Sequence, residues 1–276
     1  MTLIFAPARV IALAMLILLS PAKNMNFDAP PASVTATKPD FLKEARELAA
    51  AARALTPAKL GKLMDISAKL ADLNHARFQA FRGDGKSNTQ KPAALAFNGD
   101  VYLGLDARTM TPADFDFAQV HLRILSGLYG LLRPLDAIEP YRLEMCSALK
   151  NPRGKNLYDY WGDSLSTAIN GIVDAQAEKT IVNLASHEYF SAAAAETLKF
   201  PVVTASFKEE KDGKLRSLQF FAKRARGLMA RWAIDKRITR AEDLKSFDLD
   251  GYRFRSRDSG ERDWLFARPQ PPKKDT

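Results

Sequence analysis

Three short apolar runs, each broken by or ending in a polar loop, constrain the fold of this chain more than any other feature. Leu16–Leu19 ends at Ser20-Pro21-Ala22-Lys23, residues 94–105 are interrupted by Asn98-Gly99-Asp100, and residues 180–185 end at Ser186-His187-Glu188-Tyr189. The first and third read as buried strands, and the second as two strand pieces around an Asn-Gly turn. Helical patterns lie between them. Phe41, Leu42, Ala45, Leu48, Ala52 and Leu55 recur at helical spacing, and Thr56-Pro57 and Ser67 are start signals for two further helices. The mixture predicts one α+β domain in which a mixed sheet is flanked by helices. In such sheets ligands settle where strand ends meet loops, which nominates Lys23, Asp100, Ser186 and Glu188.

Residues 114–145 form the densest stretch. Thr111, Pro112 and Asp114 supply an N-cap hydroxyl, a proline at the first helical position and an acid in the first turn. Phe117, Val120, Ile124 and Leu128 follow at helical spacing as one buried stripe. The helix is expected to end in LSGLYG, where Gly127 and Gly130 permit torsions that a side chain penalises. Pro134 and Pro140 break the following turns. Arg133, Arg142 and Glu144 beside them join the loop residues above in a set that would hold a phosphate or nucleobase and offer a carboxylate for acid–base work. The same residues also read as a polar network fixing loops to one another.

The formal charge of +9 and a pI near 9.6 favour an anionic partner: nucleic acid first, phosphorylated metabolites second, an acidic membrane surface third. The charge concentrates late in the chain. Lys211-Asp212-Gly213-Lys214 is a hairpin signal, and a helix over 222–236 carries Lys223, Arg224, Arg226 and Arg231. Those four are the candidate phosphate contacts; a solvated amphipathic helix that happens to be basic is the other reading.

Several chemistries find no support in the sequence. There is no P-loop, no dinucleotide fingerprint and no GxSxG elbow, so no cofactor is expected. His75, His121 and His187 lack metal-type spacing, the carboxylates are dispersed, and no metal site is expected. Cys146 is the only cysteine, which excludes an intrachain disulfide, and it reads as a packed thiol. The N-terminal apolar run is interrupted by Pro7 and Arg9, lacks a small-x-small cleavage site and is too short for a comfortable span. Residues 1–14 therefore read as an extension upstream of a start at Met15, residues 15–266 as one cytoplasmic domain with no membrane segment, and residues 267–276 as a disordered tail.

SPAK at Ser20, LAFNGDVYLGL, DFDFAQVHLRILSGLYGLLRPLDAIEPYRLEM, LYDYWGD, NLASHEYF and FAKRARGLMARW, in this order and spacing, resemble the bacterial YaaA peroxide-stress protein family from Met15 to about Phe266. The resemblance implies a cytoplasmic protein induced by hydrogen peroxide. Such proteins limit oxidative damage to DNA and protein, in part by keeping unincorporated iron low. It further implies an unusual α/β fold with a positively charged cleft, a helix-hairpin-helix-like element and binding to duplex or branched DNA. The hairpin would fall on LSGLYG, which carries one residue more before Gly130 than the usual pattern; backbone amides there would meet a phosphate.

Overall fold

The computed structural model describes residues 15–29, 34–84, 87, 89–193 and 195–272; the expected upstream extension, residues 1–14, lies outside them. Its centre is an eight-stranded mixed sheet. In chain order the strands are β1 (Leu16–Leu19), β2 (Leu122–Ser126), β3 (Gly130–Leu132), β4 (Ile181–Asn183), β5 (Val202–Lys211), β6 (Lys214–Arg216), β7 (Arg253–Phe254) and β8 (Asp263–Pro269). Across the sheet they run β7-β8-β5-β4-β1-β2-β3, with β6 paired to β5. β1 is parallel to both β2 and β4, β4 to β5, and β5 to β8. β3, β6 and β7 are antiparallel partners at or near the edges. A central parallel strand is covered on both faces, which is why β1 is four consecutive buried aliphatic residues.

The helices that matter here are α1 (Leu42–Arg53), α2 (Pro57–Met64), α3 (Ala68–Ala80), α4 (Asp100–Leu105), α5 (Pro112–His121), α6 (Leu157–Trp161), α7 (Ser164–Asp174), α8 (His187–Phe190) and α9 (Gln219–Asp235). The start of α5 is as the sequence specifies. Thr111 and Asp114 form a reciprocal capping box, with Pro112 in the first turn. The hairpin between β5 and β6 also falls where expected, with Asp212 and Gly213 both at positive φ.

Three expectations are corrected. First, α5 stops at His121 and the chain becomes β2, so Ile124 and Leu128 do not continue a helical stripe; Phe115, Ala118 and His121 face the core instead. LSGLYG is the tight turn between β2 and β3, not a helix-hairpin-helix-like element. Gly130 has φ +69°, and a Cβ there would lie 2.7 Å from the Trp161 ring; one on Gly127 would lie 2.4 Å from the Leu143 carbonyl. The turn is packed into the core, with Leu128 and Tyr129 buried. Trp161 donates to the Gly127 carbonyl at 3.1 Å and the Tyr129 amide donates to Ser126 Oγ at 2.9 Å. Gly127 and Gly130 thus serve close packing and offer no free surface to a phosphate.

Second, neither piece around Asn98-Gly99 is the expected strand: Ala93–Ala96 is a short helix running into the two-residue strand Phe97–Asn98, and the piece after the turn is helix α4. Its partner decides this: a Cβ on Gly104 would lie 2.2 Å from the Arg224 carbonyl, and one on Gly227 would lie 1.8 Å from the Val101 carbonyl. Two glycines facing each other let α4 and α9 cross almost backbone to backbone. Third, residues 267–269, expected in a tail, belong to the sheet. β8 runs to Pro269 between β7 and β5, pairing Ala267, Arg268 and Pro269 with Lys208, Glu209 and Glu210.

Candidate functional site

β1 and β4 are neighbours whose chains leave in opposite directions: β1 leads to β2 on one side, and β4 leads to β5 and on to β8 on the other. Such a reversal opens a crevice at the carboxyl ends of the two strands. A cavity of about 680 Å³ occurs there. The loop after β1, the loop after β4 with the start of α8, the start of α4 and the first turns of α9 all contribute to its lining.

Lys23, Asp100, Ser186 and Glu188 all line this cavity, together with Lys223 and Arg226 from α9. Two groups of residues far apart in sequence, one nominated for small-molecule chemistry and one for phosphate contact, therefore share one site. The loops are sewn together at its base. The Ser186 amide donates to Ser20 Oγ at 2.8 Å, the two serine hydroxyls are 3.3 Å apart, and Tyr102 donates to the Ser20 carbonyl at 3.0 Å. Burial raises the Tyr102 phenol well above its ordinary pKa, so it stays a donor.

Glu144 is held by cations on both oxygens: Lys23 Nζ lies 2.5 Å from Oε2, and Arg142 reaches Oε1 at 2.8 and 3.2 Å. A carboxylate so engaged anchors the loop carrying Arg142. Glu188 is less committed; its Oε1 accepts the Cys146 amide at 3.2 Å, and Tyr158 donates to its backbone carbonyl at 3.0 Å. Cys146 is exposed, not the packed thiol expected. Its thiol atom and oxygens of Glu144 and Glu188 lie within 4.8 Å of one another, so the carboxylates dispersed in sequence do converge. Partial desolvation and then the Glu188 carboxylate push the thiol pKa up, which leaves it protonated near neutrality.

Arg226 is the least satisfied group in the cavity. It is half-buried, and its Nε is fully enclosed without a hydrogen-bond partner. Burial pushes its pKa down. An Nε enclosed without an acceptor leaves the positive charge incompletely compensated, which favours an anion in the cavity that Arg226 lines. Lys223, one turn earlier on α9, is exposed at the same site.

The remaining nominees lie elsewhere or are occupied. Arg133 is outside the cavity lining: its guanidinium bonds Asp136 Oδ1 at 3.0 Å, Asp40 Oδ1 at 3.1 Å and the Lys38 carbonyl at 2.6 Å. Asp136, fully buried, also takes the Thr37 hydroxyl at 2.7 Å, so Arg133 completes a structural cluster. Arg231 is tied to Asp235 at 2.7 Å, to the Asp106 carbonyl at 2.9 Å and to Thr109 Oγ1 at 2.6 Å. It clamps the end of α4 onto α9 and is not available as a phosphate contact. Arg224 is exposed on α9.

A family model described as peroxide stress protein YaaA matches residues 15–258. The chain belongs to the YaaA peroxide stress protein family. It is 57% identical over 257 residues to a UPF0246 protein of Maricaulis maris, covering 93% of this chain and 97% of the relative. It is 54% identical to a UPF0246 protein of Caulobacter vibrioides (strain NA1000 / CB15N), covering 93% and 100%. A UPF0246 protein of Phenylobacterium zucineum is 54% identical over 258 residues, covering 94% and 96%. The matched YaaA segment spans β1 to β7 and so includes every residue that lines the cavity.

Sequence reasoning passed over Ser20, Asn98, His187 and Gln219, all of which line this YaaA cavity. Their signal was adjacency: each sits in or beside a loop or helix start already nominated. Among the described residues no helix is long and apolar enough to cross a membrane.

Proposed function

We propose that this YaaA-family chain protects against hydrogen peroxide as a cytoplasmic DNA-binding protein with little sequence specificity, accompanied by an indirect effect on free intracellular iron. The observation that carries the reading is the exposed face of α9. Phe220, Lys223 and Arg224 are all solvent-exposed there, and the face continues into the cavity at Arg226. Two exposed cations on one helix face, with a third at the cavity, suit the phosphate backbone of a duplex. The test is duplex affinity against salt concentration. Contacts from Lys223, Arg224 and Arg226 to about three phosphates give a log–log slope of roughly −2 to −3, and Lys223→Gln with Arg224→Gln should flatten it. A salt-independent affinity would remove the reading.

An enzyme acting on a nucleobase, nucleotide or damaged DNA is the second reading, favoured by the convergence of Lys23, Asp100, Ser186 and Glu188 at the strand reversal. Glu188 is the carboxylate for such chemistry, because Glu144 is already neutralised by Lys23 and Arg142. Folded Glu188→Gln protein that still protects cells from peroxide would leave the cavity a binding site only. Direct iron chelation is disfavoured because Lys23 and Arg142 already hold both oxygens of Glu144, one of the three groups that converge at Cys146. Equilibrium dialysis is expected to find no stoichiometric ferrous ion; saturable binding abolished by Cys146→Ser would reverse that.

A further inference from the structure

We infer that the cavity above β1 and β4 is a site for one nucleoside monophosphate unit, with its phosphate on Arg226 and Lys223 and its base among the residues of the β1 loop and the start of α4. The inference rests on the proposed DNA contact only for where such a unit comes from: a free nucleotide, or an unpaired nucleotide at the end of a strand. At about 680 Å³ the cavity has the size of a small-molecule site, ~300–1,000 Å³. It is far too small for a duplex, whose grooves alone are about 12 and 6 Å wide.

The lining chemistry matches the parts of such a unit. A guanidinium is a planar fork suited to bidentate contact with phosphate, and Arg226 holds one half-buried, with its Nε lacking a partner. Lys223 adds a second cation three residues earlier, on the same helix face. Ala22 and Val101 supply apolar surface for a ring, and Asn98 supplies an amide that can donate to or accept from a base edge. Lys23 is already held by Glu144, so the cations left to the ligand are the two on α9. An inorganic anion would satisfy Arg226 but leave the apolar lining and Asn98 unused, which is why the ligand is read as a nucleotide.

The test uses the full chain. Binding of deoxyadenosine 5′-monophosphate, deoxyadenosine and inorganic phosphate is measured by calorimetry. In parallel, a duplex with a 5′-phosphorylated single-stranded overhang is compared with its 5′-hydroxyl counterpart and with a blunt duplex. The monophosphate, the phosphorylated overhang or both should bind at least about tenfold tighter than their unphosphorylated counterparts. Arg226→Met should weaken that binding roughly ten- to hundredfold, while Lys62→Gln, which removes the same charge from α2, should leave it unchanged. A preference confined to the free monophosphate assigns the site to a metabolite; one confined to the overhang assigns it to strand ends. No phosphate preference in either arm, or a preference that Arg226→Met retains, overturns the inference. Because Arg226→Met removes an enclosed donor without a partner, it should melt no lower than the parent. Lys223→Gln, at an exposed position, gives the same reading should that variant fail to fold. Arg224, which does not line the cavity, keeps the two proposals apart: Arg224→Gln should lower the salt slope of the blunt duplex and leave monophosphate binding unchanged.

Discussion

His121 sits at the end of α5 with 4% of its surface exposed and its ring 4.1 Å from that of Phe117. Its Nδ1 is enclosed without a partner. Burial, and then the nearby Arg123 cation, lower its pKa to about 4, whereas the unfolded chain titrates near 6.5. The folded state therefore resists a proton that the unfolded state accepts. The stability from a neutral His121 is fully present above about pH 6.5 and is lost as the pH falls toward 4. The expected loss on going from pH 7.5 to pH 5 is roughly 1–2 kcal/mol, measured as a shift in urea midpoint. A His121→Gln variant should show a correspondingly shallower dependence between those pH values. An unchanged pH dependence would mean that His121 is not held neutral. Nothing in the sequence distinguished this histidine from His75, which lies on α3 and is only partly buried; burial is decided by which helix face meets the sheet.

At the scale of elements, the crossing of α4 and α9 decides where the cavity cations stand. Gly227 is in the middle of a helix, where alanine would ordinarily be preferred, yet a Cβ there would be 1.8 Å from a backbone oxygen that cannot rotate away. Gly227→Ala should therefore destabilise by about 3 kcal/mol or more and should also weaken duplex binding, because α9 must tilt and carry Lys223 and Arg226 with it. Gly171 is the control. It is equally mid-helix, in α7, with nothing within 4 Å of its Cβ position, and Gly171→Ala should stabilise by about 0.5–1 kcal/mol. Thermal melts of the two variants should move in opposite directions. Local rules were legible where the interaction is local: the Thr111–Asp114 cap, the Thr56-Pro57 start and the Asp212-Gly213 hairpin all read directly from neighbouring residues. They misled where a distant partner intervenes. The glycines of LSGLYG look like a helix end because spacing cannot report Trp161 pressing on Gly130, and residues 101–105 look like a strand because spacing cannot report Gly227. The loops that form the cavity were legible for a related reason: strands covered on both faces announce their ends, and those ends meet wherever the strands are neighbours. Arg133 falls outside the cavity because its partner Asp136, three residues away, is wholly buried, which a short charged spacing does not report.

For the molecule as a whole, the last strand closes the structure over the start of α9. Arg268 on β8 is 5% exposed; it lies 3.5 Å from Glu209 Oε1 and 2.5 Å from an Asp250 oxygen, and it stacks on Phe221 and Tyr252 at 4.7 and 4.5 Å. Glu209, fully buried on β5, also accepts the Tyr252 hydroxyl and, through its other oxygen, the Leu218 amide at 3.3 Å. Leu218 caps α9. A single buried carboxylate thus links the sheet to the first turn of the helix that carries the cavity cations, and Arg268 neutralises it. A chain ending at Phe266, where the sequence alone places the domain boundary, would keep Glu209 and lose its cation together with three residues of strand pairing. Leaving a buried charge unpaired costs about 3–5 kcal/mol, and at roughly 2–4 °C per kcal/mol for a domain approaching this size the melting temperature should fall by roughly 6–20 °C. Amide exchange should quicken first at the N-terminal end of α9, since that end hangs on Glu209, and duplex affinity should fall in step. A chain ending at Pro272 retains all of β8 and should match the full-length protein in both measurements. If the two truncations melt alike, the Arg268–Glu209 pair is not what fastens α9 to the sheet, and the placement of the cavity cations must be secured by the glycine crossing alone.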